Sequence, residues 1–317
     1  MQAEQTISRR DFIRTAGVGM AAVAVAQPLV RSPKARAAGG KPSLIIDCHA
    51  HIYGEDEEQY PTVLNPLRPP QATGTVLHLK EEMERAGVRY VTAIQTSTFY
   101  RWDNRFTIDA SRANSDSFAA VCTLDPDNPR SPRLLERYVN DGGVRGMRSI
   151  TARNGRLDDP GVDKLWAVAE RLGVVINVLV GPGHVDEIEA LVKRHPKLRV
   201  IIDHCLGMQP GDGLEATLAA MKRLAELSNV HAKLTFIPTG TKTPYPCSGL
   251  HDACRQVIAM FTPERCVWGS DFPCELWCPN ITYSQHLRIF THELGLDDKA
   301  KRAILGETAY RLWFEPL

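Results

Sequence analysis

The sequence predicts an α/β protein built as one (β/α)8, or TIM, barrel, and three observations carry that expectation. Eight short apolar runs alternate with amphipathic stretches, as strands and helices do in a parallel sheet. The alternation never breaks for long enough to mark a second domain. The 317 residues suffice for one such barrel with a short leader. In chain order the strands are expected at 43–49, 88–95, 119–124, 144–150, 174–180, 198–204, 229–235 and 265–270, each an apolar run of strand length. The helices between them are expected at 75–86, 105–117, 131–141, 160–172, 184–195, 214–227 and 248–261, with a final helical region over 281–314. Gly87, Gly173 and Gly295 stand where helix ends want a residue that accepts left-handed φ. Strand count alone does not show closure, so a doubly wound open sheet is the alternative.

Two connections are long. Ile52 to Thr75 is rich in acids and prolines, and 236–247 carries Pro238, Gly240, Pro244 and Pro246. Both follow a strand, which in a barrel puts them on the C-terminal face, where active sites lie.

Composition narrows the function classes. With 43% hydrophobic and 24% charged residues, wholesale disorder, a collagen, a coiled coil and a multi-span membrane protein are excluded. The 38 basic and 37 acidic side chains leave a net charge of +1, so there is no concentrated basic surface for nucleic acid. Function must come from local constellations.

Residues 1–37 read as an export leader. Ser8-Arg9-Arg10-Asp11-Phe12-Ile13-Arg14 precedes a weakly apolar, Ala- and Gly-rich run from Ala16 to Ala26, and resembles the bacterial twin-arginine signal. The stretch to Val30 is too short and too weakly apolar to span a bilayer core of ~30 Å. Cleavage after Ala37 would leave 38–317 as a single periplasmic domain with no membrane attachment, its leader engaging the twin-arginine export machinery. None of the eight cysteines forms a Cys-x-x-Cys pair. Cys48, Cys122, Cys205 and Cys266 fall in or beside strands and are expected as buried thiols, whereas Cys247 with Cys254, or Cys274 with Cys278, could pair in an oxidising compartment.

The sharpest chemical signal is Ile46-Asp47-Cys48-His49-Ala50-His51 at the end of the first strand. Strand alternation sends His49 and His51 to one side, where two imidazoles can share a divalent metal or a substrate carbonyl, or stand as a structural pair. His204 closes the sixth strand and Asp271 the eighth, so all four groups would meet at one mouth of a barrel. Asp271 alone would read as a helix cap, but four convergent polar groups ask for more than capping.

From about Ser43 to Phe314 the chain resembles the amidohydrolase superfamily, in the amidohydrolase-related branch that includes 2-pyrone-4,6-dicarboxylate lactonase and related sugar and muconate lactonases. The matching stretches are Ile46 to His51, Pro69-Pro70-Gln71-Ala72, Ala93-Ile94-Gln95-Thr96-Ser97, Leu124-Asp125-Pro126-Asp127, Gly143-Val144-Arg145-Gly146-Met147-Arg148, Ile202-Asp203-His204 and Trp268 to Pro273. The resemblance implies a barrel hydrolase in which Asp271 is the general base that activates water. By the same carry-over His49, His51 and His204 bind a metal or hydrogen-bond the scissile carbonyl. The fifth strand, Val174 to Gly181, lacks the histidine or lysine of many metal-dependent members. A mononuclear zinc site wants three protein ligands, which His49, His51 and Asp271 would supply; without metal, the three imidazoles would stabilise the oxyanion while Asp271 deprotonates water.

Arg148 and Arg153 follow the fourth strand, where arginines of the resembling lactonases grip substrate carboxylates with a bidentate fork. Phe99, Tyr100, Trp102 and Trp277 could wall a pocket. There is no Gly-x-Ser-x-Gly elbow, and Gly181-Pro182-Gly183 lacks the partners of a phosphate loop. The other histidines are expected to be structural, with His231 and Lys233 on strand seven held open as pocket residues. The reading is therefore a hydrolase acting on a lactone, or other cyclic ester, of a small carboxylated molecule. A metal-dependent decarboxylase of an aromatic or muconate acid is the rival within enzymes, and a binding protein the rival outside them.

Overall fold

The computed structural model describes residues 44–316, so the leader read over 1–37 lies outside it. Eight parallel strands follow in chain order: β1 Ile46–Ala50, β2 Tyr90–Ile94, β3 Phe118–Thr123, β4 Gly146–Ser149, β5 Val175–Val178, β6 Val200–Ile202, β7 Val230–Lys233 and β8 Cys266–Val267. Each pairs with the next. The sheet then returns to its start: Ala50 bridges Phe272 in parallel, Cys48 N–H donates to the Trp268 carbonyl at 3.1 Å and His51 N–H to that of Phe272 at 2.8 Å. This is a barrel and not an open doubly wound sheet.

Each strand is followed by a helix that covers it, from Val76–Ala86 after β1 to His251–Phe261 after β7. The strands are buried on both faces and therefore read as continuous apolar runs. Gly87 and Gly173 end their helices with φ of 72° and 69°. The final region is not one helix. It breaks at Gly295 and includes three π-helical turns, the last of them Tyr310–Phe314. That last turn buries Trp313 against a cluster containing Ile46, Val121, Val175 and Ile201.

The long connections differ in kind. The segment 52–75 carries no strand and only the start of a helix cap at Thr75, and it pairs through Val63 N–H with the Phe99 carbonyl and Leu67 N–H with that of Thr98. Within 236–247, Phe236–Thr241 is helical, because Pro238 falls in the first turn, where a missing N–H costs nothing. All eight cysteines are buried free thiols, so neither pairing that the sequence left open is formed. Among the described residues no helix is long and apolar enough to cross a membrane.

Two histidines, the buried His286 and the partly buried His231, make stability depend on pH. His286 Nδ1 accepts from Trp268 Nε1 at 3.0 Å, and burial pushes both His286 and His231 down to about 4. The unfolded chain therefore binds more protons than the folded one between about pH 6.5 and 4. The stability these neutral rings contribute is complete above about pH 6.5 and lost as pH falls, at roughly 3 kcal/mol per ring. Urea unfolding at pH 7 and pH 4.5 should show that loss, and a flat profile would contradict it.

Candidate active site

The C-terminal ends of the strands gather the polar side chains. His49 and His51 rings stand edge to face, 5.1 Å apart between centroids, and the His204 ring lies 4.6 Å from His49. Asp271 Oδ1 is 3.5 Å from His49 Nε2 and 3.7 Å from His51 Nε2. The four residues singled out at the strand ends are thus brought together.

Backbone geometry aims two of them. His204, Cys205, Leu206 and Gly207 run with φ of 52°, 46°, 65° and 71°, and Asp271 has φ of 56°. Left-handed backbone costs a non-glycine residue about 1–2 kcal/mol, and such strain gathers at functional sites. At His204 it interrupts strand alternation, so that adjacent Asp203 and His204 both face His49. Behind Asp271, Gly269 lets β8 approach β1: a Cβ there would sit 2.7 Å from His49 Cβ and 2.9 Å from its backbone nitrogen.

Hydrogen bonds give the imidazoles different work. His51 Nδ1 lies 3.0 Å from the Ile94 carbonyl, which can only accept, so Nδ1 carries the proton and Nε2 offers a lone pair toward Asp271. His49 Nε2 accepts from Arg148 Nη2 at 2.7 Å, since a guanidinium can only donate. His204 Nδ1 pairs with the Thr235 hydroxyl at 2.7 Å. Burial first, then neighbouring cations, holds His49 and His51 well below the usual histidine range and His204 down to about 4, so all three are neutral at pH 7. Asp271 is pushed up to about 7, chiefly by burial, with Arg148 opposing and Asp203 and Asp47 adding.

Arg148 is buried at the end of β4, its Nε 3.3 Å from Asp203 Oδ2. Arg153 is not brought to the site: it is exposed on the following loop, where its backbone N–H donates to Asp127. Of the expected aromatic wall, Trp277 alone reaches the site, 5.6 Å from the His51 ring; Phe99 and Tyr100 pack with Tyr53. Lys233 joins the site from below, whereas His231 makes none of these contacts.

Several site residues escaped sequence reading. Asp203 and Asn177, inside apolar runs, were given no role in the site, nor were Thr96, Ser97 and Thr98, although Thr96, Ser97 and Asp203 lie in stretches that match the family. Asp47 is buried and accepts from His49 N–H, Ser270 N–H, the Ser270 hydroxyl and the Tyr283 hydroxyl at 2.6–3.0 Å. The available signal was its place in Ile46 to His51, two residues before the first histidine.

Above these groups lies a cavity of about 240 Å³ lined by His51, Thr96, Ser97, Thr98, Arg148, Leu179, His204, Asp271 and Trp277. A second, of about 250 Å³, shares His204 and Asp271 and extends over Met208, Phe236 and Gly240.

The ligand atoms of His49, His51 and Asp271 lie within 4.8 Å of one another, a candidate divalent-metal site. In type and spacing the donors suit zinc, with open positions left for water. The Arg148 guanidinium faces the His49 nitrogen such an ion would use, so metal entry requires that guanidinium to turn away.

Buried titratable groups that converge at the C-terminal mouth of an eight-stranded barrel, with their ionisation shifted in opposite senses, define an enzyme of the TIM-barrel class. Comparison gives its kind. The family model described as Amidohydrolase matches residues 46–314, and the chain belongs to that family. The L-fucono-1,5-lactonase of Burkholderia ambifaria is 27% identical over 238 residues, 72% of this chain and 80% of that protein. Among solved structures, an amidohydrolase from Burkholderia multivorans with bound zinc superimposes with a TM-score of 0.69 at 21% identity, covering 86% of this chain and all of that one. A probable 2-pyrone-4,6-dicarboxylic acid hydrolase from Acinetobacter baumannii with bound citric acid gives 0.69 at 17%, covering 84% and 98%. The 5-carboxyvanillate decarboxylase of Sphingomonas paucimobilis gives 0.60 at 16%, covering 86% and 99%.

Proposed function

We propose that this amidohydrolase-family enzyme opens the ring of a small hydroxylated lactone by attack of water. The observation that carries the reading is the split of the cavity's polar groups into two acceptors and two donors. His51 Nε2 and the Asp271 carboxylate accept, 3.7 Å apart, and a water between them is held by both while Asp271 takes its proton. A carboxyl raised toward neutrality suits that role. The Arg148 guanidinium donates to the oxygen on which negative charge develops, as does His204 in the tautomer whose Nδ1 accepts from the Thr235 hydroxyl. The proton held by Asp271 then passes to the departing ring oxygen, so one water is consumed and a hydroxy acid leaves. A divalent metal at His49, His51 and Asp271 would, when bound, polarise the carbonyl and acidify water.

The substrate reading shifts from the carboxylated molecule expected above. Arg148 is the one lysine or arginine lining either cavity, and two of its nitrogens are directed at Asp203 and His49. The hydroxyls of Thr96, Ser97 and Thr98 suit a ring bearing hydroxyl groups. The lactonase relative supports this choice. The leader extends the proposal to a periplasmic enzyme exported by the twin-arginine machinery, which fractionation of cells expressing the full chain would test.

Acid release over a panel of sugar, pyrone and muconate lactones tests the activity, with and without chelator. One proton per ring opened, with hydroxylated lactones ahead of carboxylated ones and with resistance to chelator, is expected. Activity lost to chelator and restored by Zn2+ would make His49, His51 and Asp271 metal ligands. Silence with lactones and carbon dioxide from an aromatic acid would replace the reading with decarboxylation.

A further inference from the structure

Beneath the cavity four buried side chains from four parts of the barrel close a ring. Lys233 Nζ lies 2.7 Å from Asp203 Oδ1, and Asp203 Oδ2 lies 3.3 Å from Arg148 Nε. Arg148 Nη2 reaches His49 Nε2 at 2.7 Å, and His49 Nδ1 faces Lys233 Nζ at 3.3 Å. Lys233 and Asp203 are 0% exposed, and neither lines either of the two cavities above. Lys233 is held from two further sides, donating to Asn177 Oδ1 at 2.7 Å and resting 5.5 Å from the Trp313 ring.

A buried ion pair is poor value as a structural element. Desolvation consumes most of its attraction, and apolar residues of similar volume often hold a core equally well. What this pair does that apolar residues cannot is orient its neighbours. The Asp203 carboxylate, 3.3 Å from Nε without a hydrogen bond to it, holds the Arg148 guanidinium by charge, while Nη2 bonds to His49. Lys233 fixes Asp203 and abuts the far edge of the His49 ring.

We infer that the Asp203–Lys233 pair is a positioning device for the reaction, locking Arg148 and His49 in the single arrangement that meets the developing oxyanion. The inference rests on the lactonase reading for its kinetic arm only.

The test compares the wild type with Asp203→Asn, Lys233→Met and the double variant. Asp203→Asn leaves the buried Lys233 and Arg148 charges without their carboxylate, whereas Lys233→Met leaves Asp203 paired with Arg148, so the first is expected to lower Tm more. The double variant removes the Lys233 charge but not that of Arg148, and its Tm is expected above that of Asp203→Asn and below wild type. Its kcat on the best lactone should remain down about a hundredfold with KM within about threefold, since a misaimed oxyanion donor costs only the transition state. Wild-type kcat in the folded double variant would overturn the inference. The second readout is the 15N spectrum of the His49 ring at fixed pH, which needs no turnover. In the wild type Nε2 should appear as a hydrogen-bonded acceptor, and in the double variant that signal should shift toward a freely exchanging ring. Unchanged His49 signals would overturn the inference even if no lactone proves to be a substrate. Should the double variant fail to fold, Asn177→Leu keeps both charges and removes one hold on Lys233. A kcat loss of about tenfold at unchanged KM, with shifted His49 signals, supports positioning; unchanged kcat and signals overturn it.

Discussion

Replacing Asp271 with asparagine is expected to lower kcat roughly a thousandfold while leaving the unfolding temperature unchanged or slightly higher. The kinetic loss follows from the proposed role: the carboxylate 3.7 Å from His51 Nε2 would accept the proton, and an amide cannot take a proton from water. The stability expectation follows from two features of the same residue. Asp271 sits at φ of 56°, a conformation that Asn adopts as readily as Asp, so the turn after β8 survives. Burial also disfavours its ionised form, and a neutral isostere does not bear that cost. Steady-state kinetics and a thermal melt on one preparation decide the matter. Turnover within tenfold of wild type would remove Asp271 as the base.

Asp47→Ala is the second large effect, and it falls on the fold. The carboxylate accepts four hydrogen bonds from His49, Ser270 and Tyr283, joining β1 to the segment after β8. Deletion leaves four buried donors facing a void. Hydrogen bonds to a charged acceptor are worth about 1.5–3 kcal/mol each, offset here by relief of burial, which raises the Asp47 pKa despite those bonds. A net loss of roughly 4–6 kcal/mol corresponds to about 8–20 °C in Tm for a barrel of this size. Asp47→Asn retains the shape and one acceptor oxygen and should lose less than half as much. Equal Tm for wild type and Asp47→Ala would show that the clasp contributes nothing.

The sequence carried the barrel because its signal is periodic: all eight strands and their covering helices overlap the expected ranges, most of them shorter, with β1 and β3 each running one residue past. His49, His51, His204 and Asp271 were legible because each ends a strand, and in a barrel strand ends share one mouth. Asp203 was not, for a definite reason. Alternation assigns neighbours on a strand to opposite sides, and the left-handed turn at His204 that sets the rule aside leaves no mark in the residue types. Arg153 misled in the opposite way, since proximity in sequence to Arg148 says nothing about which way a loop leaves the barrel. The partners of Lys233 come from strands 30 to 184 residues away, and no local pattern announces them.

The clasp between Asp47 and Ser270 also sets a schedule. Its two halves are separated by 223 positions, so the first strand, though made early, waits for the last before its carboxylate finds partners beyond the neighbouring His49 N–H. Contacts so distant in sequence form late, after the cost of closing the intervening chain has been met. A ribosome-bound fragment ending anywhere before the eighth strand therefore holds both first-strand histidines but not Asp271, the proposed base that faces them.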